Sequence, residues 1–275
     1  MKSPDRGSGP RRGWLTAALV LVSTLAAAFA AQATGDVTSA IQSGEAIRIV
    51  VYNIHHGEGM DEILDLERIA ALISDLDPDL VALQEVDREA ERTGFVDQAA
   101  VLGELTGLAA EFGQFMPYQG GDYGMAVLSR WPIVRVTNHR LPDGEEPRSA
   151  LGVRVRSPDS GRELDFVGIH FYRTAEERLA QARALAAAYD GADVPVILAG
   201  DFNSTPDSEV IEFLANRWQF IDKGADRLTF SSMQPEVEID FVALWPGAVF
   251  RVASQRLLDE PVISDHRPLF VELKW

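Results

Sequence analysis

The sequence predicts an α+β fold in which two packed, mainly antiparallel sheets carry helices on their outer faces. Two observations lead there. Short apolar runs rich in β-branched residues outnumber segments with helical periodicity. Most neighbouring runs are joined like hairpins, whereas a doubly wound parallel sheet would need strict alternation of strand and helix. At 275 residues and 46% hydrophobic content, the chain is long enough for one large domain or two small ones with a sizeable core.

The chain starts with a region of different composition. Lys2, Arg6, Arg11 and Arg12 precede an apolar or small-residue run from Trp14 to Ala31, and Ala31-Gln32-Ala33 has the small-x-small form of a cleavage site. Residues 1–33 therefore read as a secretory signal peptide, with Arg11-Arg12 loosely suggesting the twin-arginine type. The competing reading is an uncleaved membrane anchor, since the run approaches bilayer-spanning length. Cleavage implies a secreted or periplasmic protein. Residues 34–45 read as a polar linker and 46–275 as the folded domain. The whole chain carries a net charge of −17; residues 1–33 hold four basic residues and one acid, so the remainder carries 21 basic and 41 acidic residues, a net of −20. Such a surface repels a phosphate backbone and disfavours long nucleic acid as a partner. The absence of cysteine excludes disulfides, zinc-thiolate sites and cysteine nucleophiles.

The predicted elements follow in order. Ile47–Asn53 is a buried strand ending in Asn53-Ile54-His55-His56-Gly57. After Asp65, Leu66, Ile69, Ala70, Ile73 and Leu76 line one helical face, and Asp77-Pro78 stops the helix. Leu80–Leu83 is a strand that delivers Gln84-Glu85-Val86-Asp87, and Asp97 to about Thr106 is a helix ended by Gly107. Further strands are read at Gly124–Ser129, Ile133–His139, Leu151–Arg156 and Leu164–Ile169, the last leading to His170. Thr174 and Glu177 have capping-box spacing before a helix with Leu179, Ala182, Ala186 and Tyr189 on one side. Val194–Ala199 is a strand, Gly200 lets the backbone turn, and Thr205-Pro206 caps and starts a short helix near Ser208–Leu214. Ile239–Leu244 is a strand with Asp240 inside it, followed by strands at Val249–Leu257 and Leu269–Leu273.

Polar residues recur where these strands end: Asn53, Glu85, His170, Asp201 with Asn203, Asp240, and Asp265-His266 before the last strand. Strand ends on one edge of a two-sheet sandwich can converge on one cleft. Three of the five histidines, His55, His170 and His266, lie in these segments with His56 beside them, and only His139 lies elsewhere. Carboxylates and amides dominate, which suits Mg²⁺, or Mn²⁺, better than zinc. Glu85 is the candidate first ligand, and Asn53 is placed to hold the ion or its water. Asp240 between Ile239 and Phe241 needs a partner if buried. His266 is a natural one, because an acid fixes the imidazole tautomer and raises its basicity. No Gly-x-Ser-x-Gly elbow, Walker loop or Gly-x-Gly-x-x-Gly occurs, which speaks against serine hydrolases, P-loop enzymes and dinucleotide-binding folds.

In order along the chain, Tyr52-Asn53-Ile54, Gln84-Glu85-Val86-Asp87, Gly124–Arg130, His170, Gly200-Asp201-Phe202-Asn203, Ile239-Asp240-Phe241 and Ser264-Asp265-His266-Arg267-Pro268 resemble the signature blocks of the endonuclease/exonuclease/phosphatase superfamily. The resemblance spans residues 47–275. It implies a four-layer α/β/β/α sandwich and Mg²⁺-dependent phosphoester hydrolysis. By the same resemblance, Glu85 binds the metal with Asn53 beside it, and Asp265 supports the metal or the histidine. Asp201 orients or deprotonates the attacking water, and Asn203 stabilises the transition state. His170 and His266 contact the phosphate, with Asp240 pairing with His266; the general base is either Asp201 or His266. The blocks around Asn53 and Glu85 are most similar to small secreted or membrane-associated bacterial metal-dependent hydrolases. They are also similar to a domain of a eukaryotic protein that remodels glycosylphosphatidylinositol anchors. His55, Arg88 and Arg148 are candidates for a substrate pocket. Two features depart from the DNA-cleaving members: Glu238 stands where many relatives carry a basic residue, and there is no long basic insertion. The expectation is a monomeric phosphodiesterase or phosphatase for a small or lipid-linked phosphoester. A nuclease of the same fold and a non-catalytic binding module are the alternatives.

Overall fold

The computed structural model describes residues 44–246 and 250–275, so the predicted signal segment 1–33 and most of the linker lie outside the described residues. Among the described residues, the strands form two six-stranded sheets. The first runs, in spatial order, β11 (Arg251–Leu257), β12 (Leu269–Lys274), β1 (Ala46–Asn53), β2 (Leu80–Arg88), β4 (Gly121–Ser129) and β3 (Ala109–Tyr118). The second runs β5 (Ile133–Arg140), β6 (Ser149–Arg156), β7 (Glu163–His170), β8 (Val196–Asp201), β10 (Asp240–Leu244) and β9 (Gln219–Phe220). The helices are α1 (Leu66–Leu76), α2 (Gln98–Thr106), α3 (Ala175–Ala188) and α4 (Glu209–Ala215).

Each sheet contains one parallel pair, β1 with β2 and β7 with β8, and every other pairing is antiparallel. The parallel pairs are the places where a helix, α1 or α3, separates the strands in sequence, because a parallel crossover needs that length of chain. The two sheets therefore repeat one topology, with β1, β2 and β4 corresponding to β7, β8 and β10. Three apolar clusters define the layers. One lies between the sheets and includes Ile49, Val51, Met125, Val127, Phe166, Ile197, Ala199 and Val271. A second packs α3 and α4 on the outer face of the second sheet through Ala182, Leu185, Leu214, Leu198 and Phe241. The third packs α1 and α2 on the first sheet through Ile69, Ile73, Leu102, Val50, Val81 and Leu83. The predicted four-layer α/β/β/α sandwich is the observed one.

Local chemistry fixes the ends of several elements. Asp65 and Asp97 cap α1 and α2 by accepting from the N–H groups of Arg68 (2.9 Å) and Ala100 (3.0 Å). Strand β3 has no counterpart among the predicted elements. It is a half-buried edge strand joined to β4 by a two-residue turn, Gln119-Gly120, with positive φ at both positions, 45° and 84°.

Three expectations are corrected. Thr174 makes no capping hydrogen bond to the helix backbone; its hydroxyl is spent on Glu177, whose carboxylate also accepts from the Glu145 N–H at 2.8 Å and ties down the loop before β6. Thr205-Pro206 does not start α4. The Thr205 hydroxyl donates to Asp207, and Ser208 caps the helix by accepting from Ile211 N–H at 3.3 Å. Gly200 is not a turn but lies inside β8 at φ +151°, where a Cβ would stand 2.0 Å from the Ile169 carbonyl oxygen of β7. It is required for close approach of two backbones.

Candidate active site

The site forms where the carboxyl ends of the two parallel strand pairs meet across the sandwich. Asn53 ends β1 and pairs with Gln84; His170 ends β7 and pairs with Asp201, which ends β8. Asp240 opens β10 directly opposite Asp201. Asp240 was expected inside its strand. The strand begins there because the N–H groups of Ile239 and Asp240 are both taken by the Thr229 hydroxyl, at 3.1 and 3.2 Å. Glu85 was expected at a strand end, but β2 continues to Arg88 and Glu85 is the extra residue of a β-bulge, at φ +57°. The bulge re-aims the carboxylate out of the pleat. Ser264 anchors the last segment by donating from its hydroxyl to the Asn53 carbonyl at 2.7 Å, which brings Asp265 and His266 to the same place.

Asn53 sits at the centre. Its Nδ2 donates to Glu85 Oε1 (3.2 Å) and Asp201 Oδ2 (3.3 Å) and lies 3.4 Å from His266 Nε2, while its Oδ1 accepts from His55 N–H at 3.1 Å. His266 Nδ1 donates to Asp240 Oδ2 at 2.9 Å, and its Nε2 is 3.8 Å from Asp201 Oδ2. His170 Nε2 lies 3.6 Å from the same Asp201 oxygen. Asn203, at φ +48°, is fixed by its N–H to Asp201 Oδ1 (2.7 Å) and its Nδ2 to the Phe171 carbonyl (2.9 Å). The buried Lys223 ammonium donates to the Asp240 carbonyl at 2.9 Å and pairs with Glu238 at 2.7 Å, so Glu238 is occupied inside the protein.

Burial sets the protonation states. His266 would be deprotonated more easily by burial alone, but Asp240, Asp201 and Asp265 outweigh it and push its pKa up to about 10. For His170 burial prevails instead and, aided by Arg148 and His266, holds it well below the usual histidine range and neutral. Burial and the neighbouring Asp240 raise the Asp201 carboxyl above the ordinary range.

A cavity of about 550 Å³ opens beside these groups, and Asn53 and Asp240 do not line it. Glu85, His170, Asp201, Asn203, Asp265 and His266 face it, as do Tyr123, Tyr172, Arg173, Phe230, Glu146 and Arg148. Arg148 is only 4% exposed; it is ion-paired with Glu146 and its guanidinium stacks on Phe115 (4.9 Å), Tyr172 (5.4 Å) and Tyr123 (5.7 Å). Among the other expected pocket residues, Arg88 pairs with Asp122 and lies 4.5 Å over the Phe112 ring, away from the cavity. His55 lies next to Glu85 but does not line the cavity either. Tyr123, Glu146, Tyr172 and Arg173 carry no signal in the sequence reading. Tyr123 lies one residue before the strand expected at Gly124–Ser129, and Glu146 lies between two expected strands.

The donor chemistry fits a divalent cation. Glu85, Asp201 and Asp265 crowd one cavity, and among the described residues none of them is ion-paired with Lys or Arg. Asp240 does not line the cavity, and its buried Oδ1 has no hydrogen-bond partner among the described residues. Asp201, Asp240 and His266 also offer donor atoms within 4.8 Å of one another. Such an excess of acid in a half-enclosed site is stabilised by a hard cation, and oxygen donors match Mg²⁺ and Mn²⁺.

A family model described as the Endonuclease/Exonuclease/phosphatase family matches residues 50–266. The chain is similar to the protein YbhP of Escherichia coli strain K12, 25% identical over 249 residues that cover 82% of this chain and 95% of that protein. Among solved structures, it is similar to an endonuclease/exonuclease/phosphatase from Beutenbergia cavernae DSM 12333, at 26% identity and a TM-score of 0.67 over 83% of this chain and 71% of that one. It is also similar in fold to the mannosyl-6-phosphatase Bt3783 of Bacteroides thetaiotaomicron VPI-5482, at 20% identity and a TM-score of 0.68 over 83% of this chain and all of that one, 100%.

Proposed function

The chain belongs to the endonuclease/exonuclease/phosphatase family, whose members hydrolyse phosphoesters, and from that membership we propose that it is a Mg²⁺-dependent phosphodiesterase or phosphatase for a small or lipid-linked phosphoester. The observation that carries this reading is the group of carboxylates without Lys or Arg partners among the described residues around one cavity, with His266 hydrogen-bonded to Asp240 beside them. Glu85 and Asp265 would hold the ion, with Asn53 alongside. When bound, Mg²⁺ (or Mn²⁺) neutralises phosphoryl charge and acidifies its water.

The protein's own groups divide the rest of the work. Asp201, fixed by Asn53 and by the Asn203 N–H, is the base that orients and deprotonates the attacking water. The Asp240 carboxylate favours the protonated form of His266, and in this reading its imidazolium faces the developing charge on the phosphoryl oxygens while Asp201 acts as the base. Neutral His170 positions a phosphoryl oxygen through its Nε2, and Asn203 stands at the cavity wall to stabilise the transition state. Arg148 offers a planar fork to a second phosphate oxygen while its face stays on the aromatic wall.

Two features favour a small substrate over a nucleic acid. The cavity volume falls within the range of small-ligand pockets, roughly 300–1,000 Å³. The net charge of −20 outside residues 1–33 opposes a polyanion. Removal of residues 1–33 on export is part of the same proposal, with intact mass of the purified mature protein as its check. The activity is tested with p-nitrophenyl mono- and diesters, a phospholipid and plasmid DNA, each with Mg²⁺ and with chelator. Chelator-sensitive turnover of the small or lipid esters supports the reading. Efficient, salt-sensitive nicking of DNA with no turnover of the others would replace it with a nuclease, and metal-dependent turnover of nothing would leave a binding module.

A further inference from the structure

We infer that His55, His56 and Glu85 form a second, nitrogen-rich cation site that takes a transition ion of the Zn²⁺ class and shares Glu85 with the oxygen-lined centre described above. One ligand atom from each of the three residues lies within 4.8 Å of the other two. The two imidazole rings meet edge to face at 4.5 Å. Neither histidine lines the cavity of the phosphoester site, whereas Glu85 does, so Glu85 stands between the two groups of donors.

Backbone geometry points the same way. All three residues occupy the left-handed region, His55 at φ 46°, His56 at 47° and Glu85 at 57°. Side chains with a Cβ avoid that region, and such outliers persist only where the surroundings over-determine them. Here they do. His55 N–H donates to Asn53 Oδ1 (3.1 Å), Gly57 N–H to the Ile54 carbonyl (2.8 Å) and Glu58 N–H to the His55 carbonyl (2.9 Å). The buried Gln98 Nε2 clamps the His56 carbonyl at 2.6 Å, and the bulge in β2 holds Glu85.

The ring nitrogens are prepared for a ligand role. His55 Nδ1 lies 3.0 Å from the Glu58 carbonyl oxygen, which can only accept, so Nδ1 carries the proton. In the neutral ring, Nε2 then presents its lone pair, the relay by which a carbonyl orients a metal-bound histidine. His56 has a side chain only 12% exposed, and its Nδ1 is buried with no hydrogen-bond partner among the described residues. A cation satisfies that nitrogen. Two imidazoles and one carboxylate match Zn²⁺ and its spectroscopic surrogate Co²⁺, and match Mg²⁺ poorly.

The test uses the full chain with Mg²⁺ in excess and Zn²⁺ as the titrant. Imidazole ¹⁵N spectra are followed, with Co²⁺ absorption in parallel. The first equivalent of Zn²⁺ is expected to shift the ring nitrogens of His55 and His56 and leave those of His139 in place. In calorimetry, His55→Ala and His56→Ala are each expected to lose the tight Zn²⁺ phase, while Asp201→Asn and His139→Ala keep it. If His55 and His56 are unmoved in the wild-type spectrum, or if the phase survives in both histidine variants, the site is refuted. Because Zn²⁺ binding is read directly and Asp201→Asn is expected to retain it, failure of this site and failure of the phosphoester reading are separable.

Discussion

Replacing Asp240 by Asn removes the charge that keeps His266 protonated. Asp240 Oδ2 accepts from His266 Nδ1 at 2.9 Å, and both side chains are almost wholly buried, 1% and 6% exposed. In the wild-type protein His266 is pushed from 6.5 up to about 10 despite burial, which alone would lower it, and Asp240 is the largest opposing influence. At about 1.4 kcal/mol per pKa unit, the folded state prefers the imidazolium by on the order of 4–5 kcal/mol. The sign follows from linkage. A group whose pKa is higher folded than unfolded contributes stability that is complete below the unfolded value near 6.5 and is lost as pH rises through about 10. Asp240→Asn is therefore expected to lower the His266 titration from its wild-type value, because the largest opposing influence to burial is gone. It should lower the melting temperature at neutral pH, and the difference from wild type should shrink toward pH 10. Because a buried site relaxes, a loss of about 1–3 kcal/mol is expected, or roughly 3–10 °C for a domain of this size. Imidazole NMR titration of the metal-free protein reads the first effect and calorimetric melts at several pH values read the second. A wild-type His266 that deprotonates near the ordinary histidine value, or a variant that titrates like wild type, would refute the role given to Asp240.

Other expectations follow from the same geometry. Asp201→Asn should abolish hydrolysis yet raise metal-free stability at neutral pH by about 0.5–2 kcal/mol, since a buried carboxyl with a raised pKa costs stability as pH rises above its unfolded value. Melts of that variant showing no gain at neutral pH, or a gain largest in acid, would contradict the assignment. Gly200→Ala puts a Cβ 2.0 Å from the Ile169 carbonyl at φ +151°, so it should destabilise by about 3 kcal/mol or more, and a variant melting within a degree or two of wild type would show the strands can part. Arg148→Lys keeps the charge but loses the planar fork and its stacking on Phe115 and Tyr172, so KM should rise about tenfold or more with the fold intact, checked by steady-state kinetics.

The layered architecture was legible because β-branched runs such as Ile49-Val50-Val51 and the spaced apolar residues of α1 state their environments locally. The strand ends carrying Asn53, His170 and Asp201 were legible for the same reason: an apolar run that stops at a polar residue stops at a surface or a cleft. What escaped depended on partners distant in sequence. Glu85 reads as a strand end, yet it is a bulge, because only pairing with β4 shows that β2 continues. Arg88 reads as a pocket cation until Asp122 claims it across the β2–β4 ladder. Thr174 and Glu177 have the spacing of a capping box, but the Glu145 backbone from another loop competes for the carboxylate. The aromatic wall of Tyr123 and Tyr172, with Arg148 between them, is built from three segments and has no local signature. Edge strand β3 shows why hydropathy alone fails there: its residues are half-buried, and Gly113 and Pro117 interrupt the pattern.

The central claim is that the carboxylates around this cavity hold a divalent cation for phosphoester hydrolysis. It is tested most directly by phosphate or p-nitrophenol release from the substrate panel, comparing the wild-type chain with Mg²⁺, the same protein with chelator, and Glu85→Gln with Mg²⁺. Turnover that requires Mg²⁺, is restored when Mg²⁺ is returned after chelation, and falls by a factor of about 100 or more in Glu85→Gln is the expected result. Turnover that is indifferent to chelator, or that Glu85→Gln retains in full, would contradict it.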